Sequence, residues 1–135
     1  MTMDVHRIRA RRIAQELLTQ GDLAAAGELF SPGCLHYLPG GESAAAWITT
    51  LRRAFPDLCA VVEEEVADDA RVVQRLAISG THLGPYLGLA PTGLRVEWCL
   101  VEFLHAGTDG AFAEHWAVWD RLGLVRQLGG GPDGQ

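Results

Sequence analysis

The run from Arg71 to His82 sets the terms for the fold. In it Val72, Gln74, Leu76, Ile78, Gly80 and His82 alternate with Val73, Arg75, Ala77, Ser79 and Thr81. A period of two sends these sets to opposite faces of a long β-strand, and such a strand needs neighbours to be stable. Asp68-Asp69 marks a hairpin tip just before it, which makes Leu58 to Ala67 the preceding strand, with an acidic centre at Glu63-Glu64-Glu65. Leu94 to His105 and Ala111 to Asp120 follow as two further strands, joined by the turn Ala106-Gly107-Thr108-Asp109-Gly110.

Upstream the period changes. Val5, Ile8, Ile13, Leu17 and Leu18 recur at helical spacing between Met3 and Gln20. Gly21 ends that helix, and Asp22 caps a second, which runs to about Phe30. Ser31-Pro32-Gly33 reads as a turn, and Cys34 to Leu38 as a short strand stopped by Pro39-Gly40-Gly41. Glu42 to Ala54 is a third helix, closed at Phe55-Pro56 because proline disfavours helical geometry in the residue before it. Arg121 to Leu128 is a short terminal helix. Helices first and antiparallel strands after argue an α+β fold, with helices packed on one face of a curved sheet. The space between the helices and the concave face is the natural pocket.

At 135 residues the chain is read as one domain over 1–128, with a flexible tail over 129–135. The net charge of −6 argues against a nucleic-acid partner. Arg7, Arg9, Arg11 and Arg12 are expected on the solvated face of the first helix. The three cysteines form no CxxC and no disulfide framework. No apolar run resembles a signal peptide or a membrane span. A cytoplasmic location without membrane attachment is the expectation.

Five segments together resemble the SnoaL-like polyketide cyclases of the nuclear-transport-factor-2-like superfamily. They are Leu35 to Pro39, Ala54 to Leu58, Gly80 to Gly93, Val96-Glu97-Trp98, and Glu114-His115-Trp116 through Asp120-Arg121-Leu122-Gly123-Leu124 to Gly129. The hairpin His105 to Gly110 departs from the family pattern by an added residue. The resemblance implies a cone-shaped fold, a homodimer or homotetramer, a small-molecule substrate, and no metal or organic cofactor. It also implies ring closure by intramolecular aldol condensation, with an Asp at the position of Asp120 as general acid/base. Some relatives open epoxides or isomerise natural products instead. The superfamily fold also serves as a non-catalytic ligand-binding or dimerisation module, since fold alone does not fix function.

The residues themselves offer candidates. Trp116, Val118 and Asp120 share one strand face, and His115, Ala117 and Trp119 the other. If the Trp/Val face is the inner one, Asp120 is a carboxylate aimed at apolar space, suited to act as a base on a carbon acid. Asp120 also stands where a helix N-cap belongs. His82 ends the Leu76/Ile78 face and is a second acid/base candidate, or a structural histidine. His36 faces the pocket if Cys34 and Leu38 do. His115 falls opposite Asp120 and is expected to be structural or interfacial. Glu102 shares a face with Trp98, Leu100 and Leu104, and serves either as a pocket group or as the partner of Arg75 or Arg95, the ion pair being favoured. Trp116, Trp98 and Tyr86 are candidates to bind an aromatic substrate, or else are core or interface residues. No HxH, HxxxH, GxSxG or GxGxxG spacing is present, which removes support for a metal, hydrolase or dinucleotide site.

Overall fold

The computed structural model describes residues 3–39 and 43–129. Helix α1 (Met3–Arg12) continues as a π-helical stretch over Ile13–Thr19 and is followed by α2 (Ala24–Leu29), β1 (Phe30–Tyr37) and α3 (Ala44–Ala54). Then come β2 (Cys59–Ala67), β3 (Arg71–Thr81), β4 (Arg95–Ala106), β5 (Phe112–Trp119) and α4 (Arg121–Gln127). The expected start of the third helix at Glu42 and the expected tail beyond Gly129 lie outside the described residues.

The five strands form one curved sheet in the order β1-β5-β4-β3-β2. Strands β2 to β5 are antiparallel neighbours, joined by short turns between β2 and β3 and between β4 and β5 and by the longer loop 82–94 between β3 and β4, whereas β1 runs parallel to β5. The turn expected at Ser31-Pro32-Gly33 is an irregular part of β1, where the register slips between Phe30 and Leu35. An edge strand tolerates a proline there because that edge has no second partner to satisfy. The hairpin after β4 also carries a register shift, at His105/Ala106.

One face of the sheet is covered by the helices. Val72, Leu76, Ile78, Val96, Trp98, Leu100 and Leu104 are buried there with Ile13, Leu17, Leu18, Trp47, Ile48 and Leu51. Ser43 caps α3 by accepting from the Ala46 amide at 3.2 Å. Phe55 sits at the corner where α3 turns into the sheet, and Asp57 fixes that corner by accepting from the Thr81 amide and hydroxyl, each at 2.7 Å. Gly84 completes it: a β-carbon at Gly84 would stand 2.2 Å from the Arg53 carbonyl oxygen. The arginines of α1 do more than face solvent. Arg7 and Arg11 reach Glu65 on β2 at 3.4 and 2.7 Å, and Arg12 pairs with Glu16 and Glu28.

Candidate active site

The pairing of β1 with β5 ends at Tyr37 opposite Trp116. From Ala117 to Trp119 one edge of β5 is held by β4, and the other has no strand partner among the described residues. The chain leaves the sheet at Leu38-Pro39, and a cavity of about 710 Å³ opens in the gap. His36 and Tyr37 form one wall, Trp47, Thr50 and Leu51 of α3 another, and Tyr86-Leu87 the rim. Ala117 and Trp119 form the floor, with Trp116, Val118 and Arg121 also reaching the opening. The volume lies within the range of about 300–1,000 Å³ usual for small-molecule sites. Aromatic rings frame it: Trp119 lies 5.8 Å from Trp47, 6.4 Å from Tyr86 and 5.9 Å from Trp98, centroid to centroid. These are the tilted and edge-on contacts that ring quadrupoles favour.

The inner face of β5 is the His115/Ala117 face, contrary to the expectation that set Trp116, Val118 and Asp120 inward. Pairing across the sheet decides this. Ala117 stands opposite the buried Glu102, and His115 opposite the buried Leu104. Trp116 and Val118 are exposed on the outer face, where Trp116 stacks on Tyr37 at 4.0 Å. Trp116 therefore meets the cavity from the strand edge, not from the floor.

Asp120 is exposed, and its carboxylate accepts from the Gly123 amide at 2.9 Å as the N-cap of α4. It is not among the residues lining the cavity, so the apolar surroundings expected for it are absent. His82 is buried but stands apart from the cavity. Its Nδ1 accepts from the Thr92 amide at 3.1 Å, and its ring lies 5.7 Å from Phe55. Burial lowers its pKa, partly opposed by the Gly84 backbone. Trp98 is buried behind Trp119 and packs on Phe55. Asp120, His82 and His36 do not converge; of the three, His36 alone lines the cavity.

His36 is brought together with residues that sequence reasoning placed elsewhere. Its Nδ1 lies 3.1 Å from Nδ1 of His115, its register partner across β1 and β5. His115 Nε2 lies 2.9 Å from Glu102 Oε1, and both side chains are buried. Glu102 thus pairs with His115 and not with Arg75, which binds Glu63 and Glu64, or Arg95, which faces Glu97. Phe30 holds both imidazoles, edge-on to His36 at 4.7 Å and stacked on His115 at 5.1 Å. Burial, reinforced by the neighbouring His115, lowers the His36 pKa and keeps the ring neutral at neutral pH. Two imidazoles and a carboxylate invite a metal reading. They run end to end instead of converging, and no group of three such side chains among the described residues is placed to hold an ion. The buried carboxylate of Glu102 was the signal available for His115, since a buried acid demands a partner on its own face.

A curved open sheet with helices over one face and an aromatic cavity at its edge defines an α+β protein with a site sized for a small molecule. Comparison places it more closely. A family model described as SnoaL-like polyketide cyclase matches residues 8–128, and the chain belongs to that family. It is 33% identical over 106 residues to the aklanonic acid methyl ester cyclase DnrD of Streptomyces peucetius, covering 76% of this chain and 72% of that one. It is 34% identical over 107 residues, with the same coverages, to the aklanonic acid methyl ester cyclase AcmA of Streptomyces galilaeus. Among solved structures, AclR from Streptomyces galilaeus, a candidate hydroxylase, superposes with a TM-score of 0.83 at 32% identity, covering 95% of this chain and 83% of that one. TsrD from Streptomyces laurentii superposes with a TM-score of 0.85 at 27% identity, covering 96% and 98%. No helix among the described residues is long and apolar enough to cross a membrane.

Proposed function

We propose that this chain closes a ring in a polyketide-type substrate by intramolecular aldol chemistry, without a cofactor, and that His36 is its acid/base group. The observation that carries this is the ionisable content of the cavity wall. Among the described residues, the titratable side chains lining it are His36, Tyr37, Tyr86 and Arg121. Of these types, an imidazole is the one that exchanges a proton near neutral pH. His36 would take a proton from a methylene flanked by carbonyls. The cavity would hold the chain folded, so that the carbanion meets a carbonyl of the same molecule. Arg121, which lines the opening, would meet the substrate's oxygens. The relatives' names suggest aklanonic acid methyl ester as the first substrate to try. The family resemblance adds a homo-oligomer to this reading, and sedimentation at working concentration tests it, a single-chain mass removing it.

An aldol addition conserves mass, so the expected product is an isomer of the substrate by mass spectrometry with one ring more. His36→Gln should lower kcat by about 10²–10⁴-fold, the usual worth of a general acid/base. Undiminished turnover by that variant refutes the assignment. A product heavier by one oxygen would place the chain with hydroxylase-type relatives and refute the cyclase reading.

A further inference from the structure

We infer that Leu87 is a specificity-determining residue of the cavity: it is held in a left-handed turn at the rim so that its side chain covers a flat, apolar ring system bound beneath it. The inference rests on the reading of the cavity as the substrate site, and not on which group moves the proton.

The loop between β3 and β4 is built around a tight turn. Tyr86 and Leu89 exchange both backbone hydrogen bonds, at 3.0 and 2.9 Å, with Leu87 and Gly88 between them. Both central residues have positive φ, 51° for Leu87 and 77° for Gly88. Two-residue turns of that kind ordinarily read Asn-Gly or Asp-Gly. In the left-handed region a β-carbon crowds the following carbonyl oxygen, and Asn and Asp offset the crowding with short polar side chains that bond locally. Leucine has no such bond to make. Leu87 is the one non-glycine residue with positive φ among the described residues.

Core packing does not repay the misfit. Tyr86 and Leu89, on either side, belong to the hydrophobic core or pack against it, and Leu87 does neither. Leu87 is 36% exposed, and it lines the cavity. Two local rules are thus broken at the one residue of the turn's tip that meets the cavity. A ligand beneath it would take the leucine out of water and so offset the backbone cost.

The rest of the loop holds the turn in place. The Leu83 and Gly84 amides donate to the Ala54 carbonyl at 2.9 and 3.1 Å. The His82 amide donates to the Leu94 carbonyl at 2.9 Å, and the His82 carbonyl accepts from the Gly93 amide at 2.8 Å. The Thr92 amide reaches His82 Nδ1 at 3.1 Å. The buried Tyr86 ring meets Phe55 at 5.5 Å and Trp119 at 6.4 Å, centroid to centroid. Backbone strain persists where its surroundings over-determine it, and ligand clamps are such places. Tyr86 is the root of this clamp and Leu87 its tip. With Trp47, Tyr86 and Trp119 framing the interior, the matching ligand is a fused ring system. A ligand too short to reach the rim forgoes the leucine, which is how Leu87 selects.

The test measures unfolding and binding together. The probe is quinizarin, a flat fused-ring anthraquinone, followed by saturable quenching of tryptophan fluorescence. Leu87→Asn suits the turn and removes the apolar reach. It should raise Tm by about 3 °C and weaken the quinizarin Kd by about tenfold. Leu87→Met keeps both the apolar reach and the strained backbone, and should bind within about threefold of the unaltered protein with no gain in Tm. A turn with a merely structural role predicts the rise in Tm alone, so a Leu87→Asn protein with raised Tm and a Kd within about twofold overturns the clamp. So does a Tm that fails to rise, which would show that the leucine does not strain the turn. Leu87→Met binding as weakly as Leu87→Asn, or an unaltered protein that leaves quinizarin unbound, also overturns it. If binding and Tm divide as expected while the unaltered protein cyclises no substrate, the cyclase reading falls and the role of Leu87 stands.

Discussion

Replacing Asp120 separates the two places from which acid/base chemistry could come. The carboxylate caps α4 through one hydrogen bond of 2.9 Å to the Gly123 amide and is exposed. Loss of such a cap costs about 0.5–2 kcal/mol. Other anchors keep α4 in place. Leu124, Val125 and Leu128 are buried, and Gln127 receives the Glu97 amide at 2.9 Å and donates to the Glu97 carbonyl at 2.6 Å. Asp120→Ala should therefore cost about 1 kcal/mol, lowering Tm by about 4 °C for a chain of this size. Asp120→Asn retains an acceptor oxygen and should lose only a few tenths of a kcal/mol. Both variants should cyclise substrate at a rate within about threefold of the original, against the hundredfold or greater loss expected of an acid/base residue. The assay pairs thermal unfolding with single-turnover product analysis. An Asp120→Asn protein with an unchanged Tm and a hundredfold loss of turnover would refute the reasoning: the proton would then pass through Asp120, and His36 would lose its role.

Two further perturbations probe the frame. Gly84→Ala drives a β-carbon into the Arg53 carbonyl, a backbone atom that cannot step aside, and should cost about 3 kcal/mol in urea unfolding; an unchanged midpoint would show that the corner relaxes freely. Acid should also weaken the fold. His36 and His82 both have pKa values lowered chiefly by burial. Below about pH 6.5 the unfolded chain takes up protons before the folded one, so stability that is full above that pH is lost as pH falls toward the folded values. The urea midpoint should drop between about pH 7.5 and about pH 5.5, and a rise would reverse the argument.

Much of the fold was legible because its signals are local. The alternation over Arg71 to His82 is strand β3, the Asp68-Asp69 tip is a hairpin, and Asp120 caps the helix that begins at Arg121. What depended on partners was not legible. Alternation divides β5 into two faces but does not say which is inner. Hydrophobicity favoured Trp116 and Val118, yet the pairing of Ala117 with Glu102 and of His36 with His115 turns the other face inward. The β1 segment through Ser31-Pro32-Gly33 carries no strand signal of its own and is extended because β5 lies beside it. The π-helical stretch over Ile13–Thr19 likewise leaves no mark in a periodicity that spans both helical forms. His115 was set aside because its role depends on two residues from other strands.

The two carboxylates most deeply set into the sheet show why this pairing points to chemistry more than to support. Glu65 accepts from Arg11 at 3.2 and 2.7 Å, from Arg7 at 3.4 Å and from Gln74 at 2.9 Å. Burial pushes its pKa up, but these partners outweigh the burial and hold the carboxyl below its ordinary range. It is a permanent anion, and it ties α1 to β2. Glu102 is deeper, with one imidazole as its partner among the described residues and one oxygen left over among them. Had the sheet needed only a filled interior there, an apolar pair of similar volume would have served as well or better. The chain of hydrogen bonds leads from Glu102 through His115 to His36, and His36 is the imidazole that meets the cavity.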